Sequence, residues 1–218
     1  MIRAVIFDVD GTLVDSVDLH ARAWQDTLSE FGKTIPFEDV RFQIGKGGDQ
    51  LLPVFLSPEE IASSSKEIEK RRGEIFKEKY LPLVKSFPMV RELFMRVLAD
   101  GKRIALASSA KGEELQAYKA LANIDDLIET ETSKDDAEKS KPFPDIFEAA
   151  IKRLGDVTTE QAIVIGDTPY DIEAAGRIGI RTIALLCGGF PADTLGGAVA
   201  IYQNPADLLA RYDLSPLA

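Results

Sequence analysis

Residues 4–15 read Ala4-Val-Ile-Phe-Asp8-Val-Asp10-Gly-Thr-Leu-Val-Asp15. An apolar run ends abruptly in three carboxylates that like-charge repulsion would rather keep apart. One reading is a buried strand, Ala4 to Phe7, running into an acidic loop in which Gly11 makes the turn. The other starts from the period-two alternation of an extended chain, which puts Asp8 and Asp10 on the same side, where they jointly hold a cation. The stretch alone leaves both open, and the rest of the chain has to decide.

Further short apolar, β-branched runs follow: Arg103-Ile-Ala-Leu-Ala-Ser108, Ala162-Ile-Val-Ile-Gly166, Arg181-Thr-Ile-Ala-Leu-Leu186 and Val199-Ala-Ile-Tyr202. Continuous apolar runs suit strands buried on both faces of a parallel sheet. Between them lie helix-periodic segments, several stopped by a glycine, as at Gly101, Gly155 and Gly179. The alternation predicts an α/β fold, a Rossmann-like open parallel sheet with helices on both faces. From 16 to 83 the pattern is helical throughout, roughly 70 residues where a loop would have a few. This segment is expected to be an inserted all-helical cap domain, with residues 1–15 and 84–218 forming the catalytic core.

The balance of 26 basic against 36 acidic residues gives a net charge of −10, which argues against nucleic acid or an anionic membrane as partner. A small phosphorylated substrate is compatible with that field, since a few local lysines or a metal override it inside a cleft. No apolar run reaches the ~20 residues of a membrane span, and a cytoplasmic protein, monomer or homodimer, is expected. The single cysteine, Cys187, has only His20 as a sequence-distant partner and makes a poor candidate nucleophile.

Open α/β sheets bind ligands at the carboxyl ends of their strands. At those ends this sequence carries Asp8 and Asp10, then Ser108 and Ser109 with Lys111 close behind, and finally Asp167 and Asp171; Lys141 precedes the strand that delivers the last two. Singly these are ordinary residues: a helix-entry serine, a loop lysine, an N-cap aspartate. In their order, DxDGT at Asp8–Thr12, Ser108, Lys141 before a proline and GDTxxD at Gly166–Asp171, they resemble the haloacid dehalogenase superfamily of phosphohydrolases over essentially the whole chain. The closest likeness is to the branch holding phosphoglycolate phosphatases, sugar-phosphate phosphatases and β-phosphoglucomutase.

The resemblance implies that Asp8 is a nucleophile forming an aspartyl-phosphate, and that Asp10 protonates the leaving oxygen and then activates water. It implies that Asp8, the main-chain carbonyl of Asp10 and Asp167 hold Mg²⁺, with Asp171 supporting Lys141 or the metal side. Thr12 is then expected near the phosphoryl group, Ser108 on a phosphate oxygen, and Lys141 balancing charge. Halide removal is disfavoured because Asp10 supplies an acid–base group that the family's dehalogenases lack. A non-catalytic binding protein on this fold would be expected to have lost Asp8, Asp10, Lys141 or Asp167, and all four are present.

Selectivity falls to the cap. In Gln43-Ile-Gly-Lys-Gly-Gly-Asp-Gln-Leu-Leu52 the glycines allow a tight loop, with Lys46 as a candidate substrate contact or a solvated turn lysine. Ser109 and Lys111 are further candidate contacts. Asp18-Leu-His-Ala-Arg-Ala-Trp24 is similar to the start of the β-phosphoglucomutase cap, although Leu19, Ala23, Trp24 and Leu28 also make a plain apolar stripe with His20 at its edge. Where the mutase cap loop has an arginine for a second phosphate, this chain has Gly48-Asp49. That departure favours a Mg²⁺-dependent phosphatase acting on a small metabolite such as phosphoglycolate or a sugar phosphate, with a β-phosphoglucomutase-like phosphomutase as the alternative.

Overall fold

The computed structural model describes residues 1–110 and 112–218. In chain order its regular elements begin with β1 (Ala4–Phe7), β2 (Val14–Asp15), α1 (Val17–Glu30), α2 (Phe37–Arg41), α3 (Gly48–Phe55) and α4 (Pro58–Ile75). There follow β3 (Lys85–Ser86), α5 (Val90–Ala99), β4 (Arg103–Ala107), α6 (Gly112–Ala122), β5 (Thr130–Thr132) and α7 (Asp145–Leu154). The chain closes with β6 (Ala162–Gly166), α8 (Pro169–Arg177), β7 (Arg181–Leu185), β8 (Ala200–Tyr202) and α9 (Pro205–Ala210). Six of the strands form one sheet of order β5-β4-β1-β6-β7-β8, every pair parallel.

β1 is central because it has apolar side chains for both faces. Val5 and Phe7 pack with Leu93, Phe94 and Val97 of α5 and Leu208 of α9, while Ala4 and Ile6 pack with Phe147 and Ala150 of α7 and Ala174 of α8. That is the period-two alternation of a strand covered on both sides. Its neighbours are in register with it, Ala4 facing Arg103 on one side and Ala162 on the other, so β1, β4 and β6 end at one level. The chain turns to opposite sides of β1 for β4 and β6, the arrangement that opens a crevice at the carboxyl edge.

The helices of the segment between β2 and β3 bury a separate cluster: Val17, Ala21, Trp24 and Leu28 of α1 against Val40, Leu51, Leu52 and Ile68. α4 starts on a capping box, Ser57 with Glu60, and Pro58 in its first turn. β2 and β3 pair antiparallel, Val14 opposite Ser86 and Asp15 opposite Lys85, so the chain leaves the core and re-enters it through one two-stranded ribbon. Among the described residues no helix is long and apolar enough to cross a membrane.

Three local readings change. The glycine stretch read as a loop already enters α3 at Gly48. β5 and the ribbon escape pattern reading because Thr-Glu-Thr, Val-Asp and Lys-Ser are short and largely polar, held by neighbours more than by their own apolar periodicity. The stripe of α1 serves two cores: Ala23, with Leu19 beside it, packs on the sheet side, and Trp24 and Leu28 pack into the helical cluster.

The ring of Phe94 lies 4.4 Å from that of Phe7 and is fully buried. Phe94→Ala should destabilise the chain by about 3–5 kcal/mol through lost burial and a residual cavity. Urea unfolding checks this, and a loss under about 1 kcal/mol would contradict the packing described.

Candidate active site

The carboxyl ends of β1 and β6 bring together most of the polar residues singled out in the sequence. Asp8 extends β1, its backbone N–H donating to Ile165 O at 2.8 Å, and its side chain is almost wholly buried. Lys141 Nζ, equally buried, donates to Asp8 Oδ1 at 2.5 Å and to Asp171 Oδ1 at 2.7 Å. The other oxygen of Asp171 accepts from the backbone N–H and hydroxyl of Thr168 at 3.0 and 2.7 Å, part of the capping box that starts α8. Both Asp171 oxygens are thereby committed, which suits it to hold Lys141 in place.

Asp167 is different. Its Oδ1 accepts from Thr12 Oγ1 at 3.0 Å, while its Oδ2 is buried with no hydrogen-bond partner among the described residues. A buried carboxylate oxygen without a partner is costly unless a cation completes it. The surroundings are shaped around that atom: a Cβ on Gly11 would come within 2.3 Å of it and one on Gly188 within 1.7 Å. Gly11 also has a φ of +78°, so the turn after Asp10 requires glycine twice over. Asp8, Asp167 and Asp171 can each bring a carboxylate oxygen within 4.8 Å of the others. The residues present therefore fit a hard divalent cation such as Mg²⁺, with Asp8 and Asp167 supplying the free oxygens.

Electrostatics follow from burial. Desolvation pushes the Asp8 carboxyl up to about 7 against the pull of Lys141. Burial, then the charges of Asp8 and Asp171, push Asp167 well above the usual carboxylate range. Burial would lower Lys141, but Asp171 and Asp8 hold its ammonium above its ordinary value. Burial would likewise raise Asp10, yet His20 and Ser16 hold it at about 2.

Asp10 faces the helical segment. Its Oδ1 accepts from Ser16 Oγ at 2.6 Å and meets His20 Nε2 at 2.7 Å. His20, expected at the edge of an apolar stripe, is buried and stacked on Phe76 with ring centroids 4.0 Å apart. Arg72 approaches its Nδ1 and presents only donors, so Nδ1 accepts and Nε2 carries the proton toward Asp10. Tyr118 Oη stands 3.1 Å from the same Nε2 and donates to Glu114 Oε1 at 3.0 Å. With Nε2 occupied by its proton, Asp10, His20 and Glu114 form a hydrogen-bonded network and not a second metal site.

A cavity of about 100 Å³ opens beside these groups, lined by Asp8, Asp10, His20, Lys46, Ser109 and Lys141 among the residues expected from the sequence. Ser108 lies fully buried behind it, its Oγ accepting from the N–H of Ala110 at 3.0 Å. Lys111 lies outside the described residues. Lys46 is turned aside: it donates to Gln43 Oε1 at 2.6 Å and sits 4.7 Å over the Tyr170 ring. Cys187 donates to Gly11 O at 3.2 Å, and burial pushes its thiol up, away from nucleophilic use.

Sequence reading missed Arg72, Glu69, Glu114 and Lys134, all of which line the cavity. For Arg72 a signal existed: it falls between Ile68 and Ile75, the buried positions of α4, so it interrupts an apolar stripe with a charge. Glu114 carries no such mark in the sequence, and neither do Glu69 and Lys134, which are ordinary charged residues until the fold sets them face to face.

A family model described as haloacid dehalogenase-like hydrolase matches residues 5–185. The chloroplastic protein Suppressor of Quenching 1 of Arabidopsis thaliana is 34% identical over 84% of this chain, which spans 18% of that protein's length. The phosphorylated carbohydrates phosphatase of Thermotoga maritima is 29% identical over 83% of each chain. The crystal structure of a hydrolase from Pseudomonas syringae matches with a TM-score of 0.87 at 26% identity, covering 97% of this chain and 98% of its own.

Raised carboxyls bind protons in the folded state that the unfolded chain releases. For Asp8 the resulting contribution to stability is complete below about pH 4 and is lost as pH rises through about 7, and Asp167, pushed up by burial, acts in the same direction. A divalent cation competes for the ionised forms. Adding Mg²⁺ in place of EDTA should thus raise Tm by about 3 °C or more at pH 8 and far less at pH 5. An equal shift at both pH values would show that the cation binds elsewhere.

Proposed function

The chain belongs to the haloacid dehalogenase-like hydrolase family, and on that premise we propose that it is a Mg²⁺-dependent phosphatase that hydrolyses a small phosphorylated metabolite through a phosphorylated Asp8. The observation that carries this reading is the buried chain Asp171–Lys141–Asp8 beside an Asp167 oxygen with no partner among the described residues. It provides one carboxylate held to attack and a second free to share a cation with it.

Asp8 attacks phosphorus in line with the ester bond, a P–O bond to Asp8 forms and the bond to the leaving oxygen breaks. Asp10 gives that oxygen its proton. His20 and Ser16 hold Asp10 at about 2 in the free chain, and a bound phosphate dianion raises it by like-charge repulsion, so that Asp10 takes up a proton from solvent as the substrate binds. Asp10 then takes a proton from water, the hydroxyl oxygen attacks phosphorus, and the bond to Asp8 breaks to release inorganic phosphate. Asp8, Asp167 and the main-chain carbonyl of Asp10 would hold Mg²⁺, which when bound would neutralise phosphoryl charge. Lys141 adds to that neutralisation, and Ser108 and Ser109 are the proposed neutral donors around the phosphoryl group, whereas Thr12, expected there from the sequence, spends its hydroxyl proton on Asp167 and its N–H on Val9 O.

The helical segment of residues 16–83 acts as the cap over the leaving group. Supporting this, Ser16 and His20 hold the acid Asp10, so the acid is oriented only with that segment in place. The acidic balance of the chain and its lone cysteine suit a cytoplasmic enzyme for small phosphate esters.

Phosphate release from a panel of monoesters, with Mg²⁺ and with EDTA, tests the reaction class directly. Asp8→Asn should fall below about a hundredth of wild-type turnover while melting normally. Asp167→Ala should lose activity together with the Mg²⁺ dependence of Tm, and an unaltered metal titration would show that Asp167 only supports the loop.

A further inference from the structure

Beyond Asp8 and Asp10 the cavity is lined by Trp24, Ile44, Glu69, Arg72, Glu114 and Lys134. Each carboxylate there faces a cation. Glu69 Oε2 accepts from Lys134 Nζ at 2.6 Å, and Glu114 Oε2 lies 3.9 Å from Arg72. Glu69 comes from α4 and Lys134 from the turn Lys134–Asp136 after β5, so their ion pair spans the cavity from the helical segment to the sheet domain. The side chains of Lys134 and Glu69 are 29% and 28% accessible, so the pair is partly open to solvent where it lines the cavity. Gly48 makes room for this carboxylate, since a Cβ there would sit 2.8 Å from Glu69 Oε1.

A leaving group with a second anionic charge arriving here meets a lysine already neutralised by a held carboxylate. It must displace Glu69 or lie beside it, and either costs free energy in a partly desolvated site. A hydroxylated, uncharged leaving group finds alternating donors (Lys134, Arg72) and acceptors (Glu69, Glu114) and breaks no pair. Lys46, the sequence's candidate for gripping an anion, is engaged with Gln43 and Tyr170.

We propose that Glu69 is a specificity-determining residue: a built-in anion that occupies Lys134 and so selects phosphate esters with neutral, hydroxylated leaving groups over those carrying a second anionic group. This rests on the phosphatase reading and narrows it, turning phosphoglycolate into the disfavoured substrate.

Two esters of nearly the same size, 2-hydroxyethyl phosphate and phosphoglycolate, differ at that end by a hydroxymethyl group against a carboxylate. The test measures kcat/KM for both with the full chain, E69Q and K134Q. It also measures dissociation constants in an Asp8→Asn background from the fluorescence of Trp24, the chain's one tryptophan. E69Q should shift the preference toward phosphoglycolate by about ten-fold, the worth of a charge-assisted hydrogen bond, and K134Q should shift it the other way. A ratio that stays put, or moves the same way in both variants, reduces the pair to a clasp between domains and overturns the proposal. Opposite shifts in binding without turnover of either ester would uphold the selectivity and overturn the phosphatase reading. Failure of both esters to bind any variant would overturn both.

Discussion

The architecture of the site turns on one buried ammonium. Lys141 has almost no contact with solvent and is held by Asp8 and Asp171, while Asp167 lies in the same cluster. Three carboxylates around one lysine are an imbalance that a protein interior does not tolerate with all groups ionised. The strong upward push on Asp8 and Asp167 expresses that imbalance as retained protons. A divalent cation would remove it with the charge the cluster lacks, and the partnerless oxygen of Asp167 is where it would be felt first. Metal binding and the ionisation of Asp8 are in this way one equilibrium.

The sheet makes such an arrangement affordable. Because β1 and β6 are in register and buried on both faces, Asp8 and Asp167 leave a rigid floor next to each other, and their backbones cannot move apart without breaking the ladder. Glycine does the remaining work at close quarters. Gly11 and Gly188 leave room for the Asp167 carboxylate, and Gly166 does the same for Asp171, where a Cβ would meet the carboxyl carbon at 2.6 Å. Repulsive groups stay together because the scaffold around them is stiffer than their repulsion is strong.

Much of this was legible in the residues. Apolar runs ending in Asp8, Ser108 and Asp167 carry both the strand and its functional end, since the same short segment is core on one side and site on the other. Lys141 could be read only through its place in an ordered set, because nothing local separates a buried lysine before a proline from a solvated one. His20 was legible as a residue but not in its role: the helical stripe fixes which face of α1 is apolar, whereas the contact with Asp10 depends on how the ribbon of β2 and β3 sets α1 against the sheet. The Glu69–Lys134 pair joins residues far apart in sequence, and no periodicity marks either one.

The division between the two halves of the site has a chemical consequence. The residues proposed to act on phosphorus come from the sheet domain, Asp8 from the end of β1 and Lys141 from the loop before α7, whereas the groups that hold Asp10 come from the helical segment and the start of α1. Asp10 is thus answerable to both halves. Its backbone is fixed beside Asp8 by the turn at Gly11, and its oxygen is fixed by Ser16 and His20, which in turn lean on Arg72, Phe76 and Tyr118. A displacement of the helices would leave Asp8, Lys141 and Asp167 in place while releasing the acid. On the proposed mechanism, leaving-group departure then depends on the same packing that encloses the cavity, which ties protonation by Asp10 to the placement of the helical segment.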